Sequence, residues 1–181
     1  MGMPGNPKPV RLFAALLSSK SDLLVDAEKD ISALFGPVDT RSEVLPWTVS
    51  DYYAPEMGSD LFRQFVAFAR PVSPEALPEI KLQTQEIERR HRAGGGGRRI
   101  NIDPGYLDAG KVVLASTKSA GHRIYLGRGI YAELTLLYYN GAFQSFVYTY
   151  ADYLWRSTTA FLTDSRTRFL RQLKENDRHL S

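Results

Sequence analysis

Between residues 98 and 138, strand-like apolar runs are interrupted by charged and hydroxyl-bearing side chains, and the spacing of those interruptions limits what the chain can fold into. Arg123 and Tyr125, then Tyr131, Glu133 and Thr135, occupy alternate positions, so a pleated strand presents them together on one face. Ile124, Leu126, Ile130, Ala132, Leu134 and Leu136 fall on the other. Gly127 and Gly129 between the two runs predict a tight hairpin turn. Asn140-Gly141 predicts a second hairpin, joining IYAELTLLYY to AFQSFVYTY. The stretch is therefore read as sheet, with one face rich in groups that can do chemistry.

With 181 residues, 43% of them hydrophobic, the chain can bury the core of one domain. The absence of cysteine excludes a disulfide framework and thiolate metal sites, and suits a reducing, cytoplasmic setting. No apolar run reaches the roughly 18 to 20 residues of a membrane span, and the first nine residues lack the apolar centre of a signal peptide. The net charge is +3, but residues 81–128 hold ten Lys and Arg against four Asp and Glu, leaving −3 for the rest. Such asymmetry points to an anionic partner or to a solvated charged helix end.

In chain order, MGMPGNPKP, with three prolines and two glycines, reads as a disordered tail over residues 1–9. VRLFAALL reads as a buried strand. Leu24, Ala27, Ile31, Leu34 and Phe35 then recur at helical spacing, with Ser21 or Asp22 as N-cap and Gly36-Pro37 as the stop. Residues 39–49 contain Pro46 and read as an edge strand or a bent one. After a loop at 50–60, LFRQFVAFARPV alternates as a central strand. A second helix starts at Ser73-Pro74 and buries Leu77, Ile80, Thr84 and Ile87. Four glycines at 94–97 end it and read as a connector, because a phosphate-cradling loop leads into a helix and this one leads into a strand. A final helix at 157–174 turns Leu162, Phe169, Leu170 and Leu173 inward, and 175–181 reads as a frayed tail. The expected architecture is a single α+β domain over residues 10–174. Its core is a ferredoxin-like split βαβ unit, with a mostly antiparallel sheet extended by C-terminal hairpin strands and covered by a C-terminal helix.

Two near-motifs fail on chemistry. GYLDAGKV has P-loop spacing, but Val112 stands where a hydroxyl would bind magnesium, and β-branched residues follow where a helix should begin. GRGIYA fits a dinucleotide fingerprint but is flanked by strands on both sides. The candidate site therefore rests on residue types. Lys118 and Arg123 are candidate anion-binding groups, a point charge and a planar fork. Candidate catalytic residues are His122 as proton carrier, Glu133 to orient it, and Asp103. Asn101, Arg99, Tyr106, Tyr125 and Tyr131 complete the candidate ligand-binding set. Asp103 and Glu133 could also hold magnesium through oxygen, although DPG at 103–105 equally reads as a turn capped by its own Asp. His91, His122 and His179 lie too far apart to suggest a histidine metal cluster. The expected partner is a small phosphorylated or carboxylated metabolite, including a nucleotide. Alternatives are RNA or another polyanion on Arg98, Arg99, Lys118 and Arg123, and a protein interface on the aromatic segment 143–155.

PVRLF, FGPVD, DYYAPEMG, EIKLQTQEIE, INIDPGYL, VLASTKSAGHRIYLGRGIYAELTL and TYADY, in this order, resemble domain-of-unknown-function family 4416 over residues 9–173. The resemblance implies no established activity, some relatives carrying only a loose GTP-binding label. It draws attention to Asp51, Tyr52, Tyr53, Asn101, Asp103, Tyr106, Lys118, His122, Arg123, Tyr125 and Glu133.

Overall fold

The first strand, β1 (Val10–Ser18), is buried along its whole length, because layers of structure cover both of its faces; this is why its sequence runs apolar instead of alternating. A computed structural model of the chain describes residues 2–3, 5–92, 94 and 97–179. The expected tails and glycine connector therefore lie partly outside the described residues, and so does the side chain of His179. Leu12, Ala14 and Leu16 of β1 face one core with Leu24, Ala27, Ile31 and Phe35 of α1 (Ser21–Phe35). Phe13 and Ala15 face a second core with Leu162 and Phe169 of α4 (Arg156–His179).

β2 (Val38–Arg41) and β3 (Leu45–Pro46) both pair with β4 (Phe62–Val72), so the proline-containing edge is broken in two, as a residue without an N–H requires. Between them and β4 lies a single-turn helix, α2 (Ala54–Met57). A 3-10 turn, Pro74–Ala76, leads into α3 (Leu77–Arg90), with the Ser73 hydroxyl accepting the Glu75 N–H at 3.4 Å. α3 buries Leu77, Ile80, Thr84 and Ile87 as its spacing predicts. β5 (Ile100–Leu107) returns along β1, and the order β2-β4-β1-β5, antiparallel at every step, is the split βαβ arrangement. β6 (Lys111–Ser116), β8 (Ile130–Tyr139) and β7 (Arg123–Gly127) extend the sheet, and β9 (Ala142–Ser145) pairs with β8. The protein is an α+β fold with a mostly antiparallel sheet and a C-terminal helix. No helix among the described residues is long and apolar enough to cross a membrane.

Four local expectations are corrected. Residues 103–105 are not a turn: Asp103, Pro104 and Gly105 lie within β5, paired with Ala15, Ala14 and Phe13 of β1. α1 takes Lys20 as N-cap without a side-chain hydrogen bond, because the hydroxyl at hand, Ser18, ends β1 and accepts the Lys20 N–H at 3.2 Å. Leu34 is half exposed, since it sits about 100° around the helix from Phe35. The strand after Asn140-Gly141 stops at Ser145, where the Phe146 N–H turns to the Thr149 hydroxyl at 2.8 Å.

Gly105 fits because it has no side chain: a Cβ there would lie 2.6 Å from the Val113 carbonyl oxygen, 2.7 Å from the Phe13 ring and 2.8 Å from Leu114. All three atoms belong to buried neighbours on adjoining strands, which leaves little room to yield. Gly105→Ala is therefore expected to lower the unfolding free energy by ~2–3 kcal/mol, as read by urea denaturation. A loss below about 0.5 kcal/mol would contradict this account of the packing.

Candidate functional site

β5 and β6 part company. They pair only from Gly105–Leu114 to Leu107–Val112, although β5 begins at Ile100 and β6 runs on to Ser116. Backbone groups alternate in direction along a strand, so Pro104 faces the same side as Ile102 and has no N–H to offer β6 there. The exposed edge of Ile102 is satisfied from α3 instead: its N–H donates to Glu88 Oε1 at 2.6 Å, and its carbonyl accepts from Lys81 Nζ at 3.1 Å. Lys81 also reaches Asp103 Oδ1 at 3.1 Å.

The gap opens into a cavity of about 280 Å³. Its floor holds Arg63 of β4 with Asp152 and Tyr153 from the 3-10 turn Ala151–Leu154, all almost fully buried. Arg63 Nε lies 3.1 Å from Asp152 Oδ2, an ion pair by distance, yet the N–H is not aimed at the oxygen. Among the described residues, Arg63 Nε and Nη1, Asp152 Oδ2 and the Tyr153 hydroxyl have no hydrogen-bond partner. Burial of polar atoms without partners is costly and uncommon in folded chains. The Arg63 guanidinium lies over the Trp47 ring, 4.8 Å from its centroid.

The mouth is bridged twice by the segment around α2. Lys118 Nζ donates to the Tyr52 hydroxyl at 2.6 Å and sits 4.3 Å from that ring's centroid. On the other side Arg98 pairs with Glu56 at 2.7 Å and donates to Asn101 Oδ1 at 2.7 Å. Asn101 passes the network on, donating to Asp103 Oδ2 at 2.6 Å.

Of the residues expected at a site, Asn101, Asp103, Lys118, Arg123 and Glu133 line this one cavity. Arg123 is committed inside the protein: Nε donates to Glu133 Oε2 at 2.8 Å, Nη1 to Ser116 Oγ at 2.8 Å and to the Lys118 carbonyl at 2.9 Å, and Nη2 to the Tyr150 hydroxyl at 2.8 Å. With those donors used, it is a brace between strands more than an open anion fork. His122 sits off the cavity lining, stacked 4.1 Å from the Tyr148 ring with Nε2 3.1 Å from Glu133 Oε2. Tyr106 packs on the opposite side, against the cluster of Leu77 and Val113. Tyr125 pairs with Tyr131 at 5.2 Å beyond the lining, and the side chain of Arg99 also lies outside it. Among the described residues no three His, Asp or Glu side chains group as metal ligands. Magnesium at Asp103 and Glu133 has no geometric support, because Lys81 and Arg123 already occupy those carboxylates. Of the basic residues expected to face RNA, Arg98 and Arg123 are paired with Glu56 and Glu133.

Arg63, Lys81, Glu88 and Asp152 were not anticipated, though two signals were present. Arg63 interrupts an apolar central strand, and Lys81 and Glu88 adjoin the buried Ile80 and Ile87 on one helical stripe. The alternating face of β7 and β8 is real, with Arg123 opposite Glu133 and Tyr125 opposite Tyr131. Its apolar counterpart is not one face, however. A bulge opposite Val112 and Val113 sends Leu136 into the core under α4 and leaves Ile130 in the core against Leu77, while Ile124 is 71% exposed.

Burial pushes Asp103 upward, but Lys81 and Arg63 outweigh it and hold this carboxyl below its ordinary range. Burial raises Asp152 and Glu88, with Arg63 and Lys81 respectively opposing the shift only in part. Burial also pushes the Tyr153 phenol well up.

The fold and cavity thus define a ferredoxin-like α+β protein whose sheet is split to make a charged, aromatic-walled pocket. The chain belongs to the family described as a domain of unknown function, DUF4416, whose model matches residues 8–169. No curated protein and no solved structure matches it.

These opposed shifts give the pH dependence of stability its sign. The Asp103 contribution is present above a pH of about 4 and is lost as pH falls through its lowered pKa. The Asp152 and Glu88 contributions are full below a pH of about 4 and are lost as pH rises through their raised values. Urea unfolding from acid to neutral pH is expected to show Asp103→Asn removing part of the acid-side loss and Asp152→Asn flattening the decline on the other side. Profiles parallel to the parent for both variants would count against these environments.

Proposed function

We propose that the cavity between β5 and β6 binds a small anionic metabolite, carboxylated or phosphorylated. One observation carries this reading: Arg63, 4% exposed and lining the cavity, keeps Nε and Nη1 buried without a hydrogen-bond partner among the described residues. A buried guanidinium left in that state is stabilised when the oxygens of a carboxylate or phosphate accept from it. Lys118 at the mouth supports the same reading, its ammonium paired with no carboxylate among the described residues and held by the Tyr52 hydroxyl and ring. The volume is at the small end for ligand sites, which favours a metabolite over a polymer. Asp103, lining the cavity and held ionised by Lys81 and Arg63, is the carboxylate best placed to take part in any proton movement on the ligand, whereas Glu133 is held by His122 and Arg123.

Calorimetric titration with orthophosphate, small mono- and dicarboxylates and sugar phosphates tests this. At least one anion is expected to bind saturably and raise the melting temperature. Arg63→Gln should weaken it at least about tenfold, Lys118→Ala should weaken it less, and Arg128→Gln on the surface should leave it unchanged. If no anion binds at millimolar concentration, or if correctly folded Arg63→Gln and Lys118→Ala both bind like the parent, the reading fails.

A further inference from the structure

The unpartnered atoms on the cavity floor specify more than a negative charge. Arg63 Nε and Nη1 require acceptors, whereas Asp152 Oδ2, 3.1 Å from Nε, is an acceptor requiring a donor. Two buried groups of opposite hydrogen-bonding sense at that separation are matched by a ligand whose acceptor and donor stand on adjacent carbons. The Tyr153 hydroxyl, also buried and without a partner among the described residues, offers a further donor on the same floor.

Charge narrows the class. Of the five cations lining the cavity, Lys81, Arg98 and Arg123 are paired with Asp103, Glu56 and Glu133, and Arg63 has Asp152 beside it. Of these five, Lys118 alone has no carboxylate partner among the described residues. A dianion would add charge that this floor does not balance, and Asp152 would repel it. The walls add shape: Trp47, Tyr53 and Tyr52 follow one another edge to face at 5.9 and 5.0 Å between centroids, a surface suited to a flat apolar group.

Resting on the anion-site reading above, we infer that the occupant is an α-amino or α-hydroxy carboxylic acid with a flat apolar side chain. Its carboxylate accepts from Arg63 and Tyr153, its α-substituent donates to Asp152 Oδ2, and its side chain lies along the Trp47–Tyr52 wall. No bond is made or broken in this assignment. Both the free amino acid and its hydroxy analogue carry the required pair of groups.

Four probes separate the alternatives by titration: phenylalanine, phenyllactate, 3-phenylpropionate without an α-substituent, and phenyl phosphate. The inference expects phenylalanine, phenyllactate or both to bind, and 3-phenylpropionate and phenyl phosphate to bind about tenfold more weakly or worse, because they leave Asp152 unpaired. Which of the first two is tighter identifies the donor. Tyr153→Phe, which deletes a hydroxyl the folded protein does not use, should leave melting of the free protein unchanged or higher and weaken the preferred acid severalfold. Asp152→Asn should narrow the gap between the α-substituted and unsubstituted acids, a ratio that a merely structural role would not move. Equal or tighter binding of 3-phenylpropionate overturns the inference. Tighter binding of phenyl phosphate, lost in Arg63→Gln, overturns it while leaving the anion site standing. Silence from all four overturns it as well, and the anion site falls with it only if the phosphates and simple carboxylates are silent too.

Discussion

The cavity exists because one strand edge is satisfied by a helix. Where β5 separates from β6, the N–H and carbonyl of Ile102 would be left in a dry interior, and each unsatisfied group would cost on the order of 1–3 kcal/mol. Glu88 and Lys81 supply both partners from α3. The same Lys81 steadies Asp103, so one side chain both holds the sheet apart and sets the charge of a group facing the opening. Pro104 makes the arrangement one-way, since a strand lacking that N–H has less to gain from closing against β6. Gly105 marks the last position at which the strands can approach closely.

Around the opening the protein spends its charges on itself. Arg123 ties Glu133, Ser116, Lys118 and Tyr150 together, joining β6, β7, β8 and the segment before the second 3-10 turn. Arg98 joins Glu56 of α2 to Asn101 of β5. Such pairs brace the walls, and a buried pair contributes more through the cost of breaking it than through its own net attraction. Against that background of satisfied groups, the floor stands out: Arg63, Asp152 and Tyr153 are as buried as the core, yet each keeps polar atoms without a hydrogen-bond partner among the described residues. Preorganised binding sites take this form, with a rigid frame around a few groups whose partners come from outside.

Much of the architecture was legible in the residues. The 3.6-residue spacing of Leu24, Ala27 and Ile31 and of Leu77, Ile80, Thr84 and Ile87 defined two helices. The glycines at 127 and 129 and the Asn140-Gly141 pair defined the hairpins, with Gly127, Gly129 and Gly141 all at positive φ. The order of elements implied the split βαβ core, because short connections leave few ways to assemble them. The polar face of Arg123 and Glu133 was legible too, since period two is a property of the strand itself.

What each polar residue does was settled only by tertiary structure. Arg123 and Lys118 look alike on paper as cations near a glycine. One proves to be an internal brace and the other stands at the mouth, because register sets Arg123 opposite Glu133. Asp103-Pro104-Gly105 has turn composition, but pairing along β1 outweighs local preference and keeps it extended. Arg63 comes from β4, Lys81 from α3 and Asp152 from the turn before α4, nearly ninety residues apart along the chain. Periodicity reports which face of its own element a side chain takes. It carries no information about which other element will lie across from that face, and the meeting of these three residues depends on that alone.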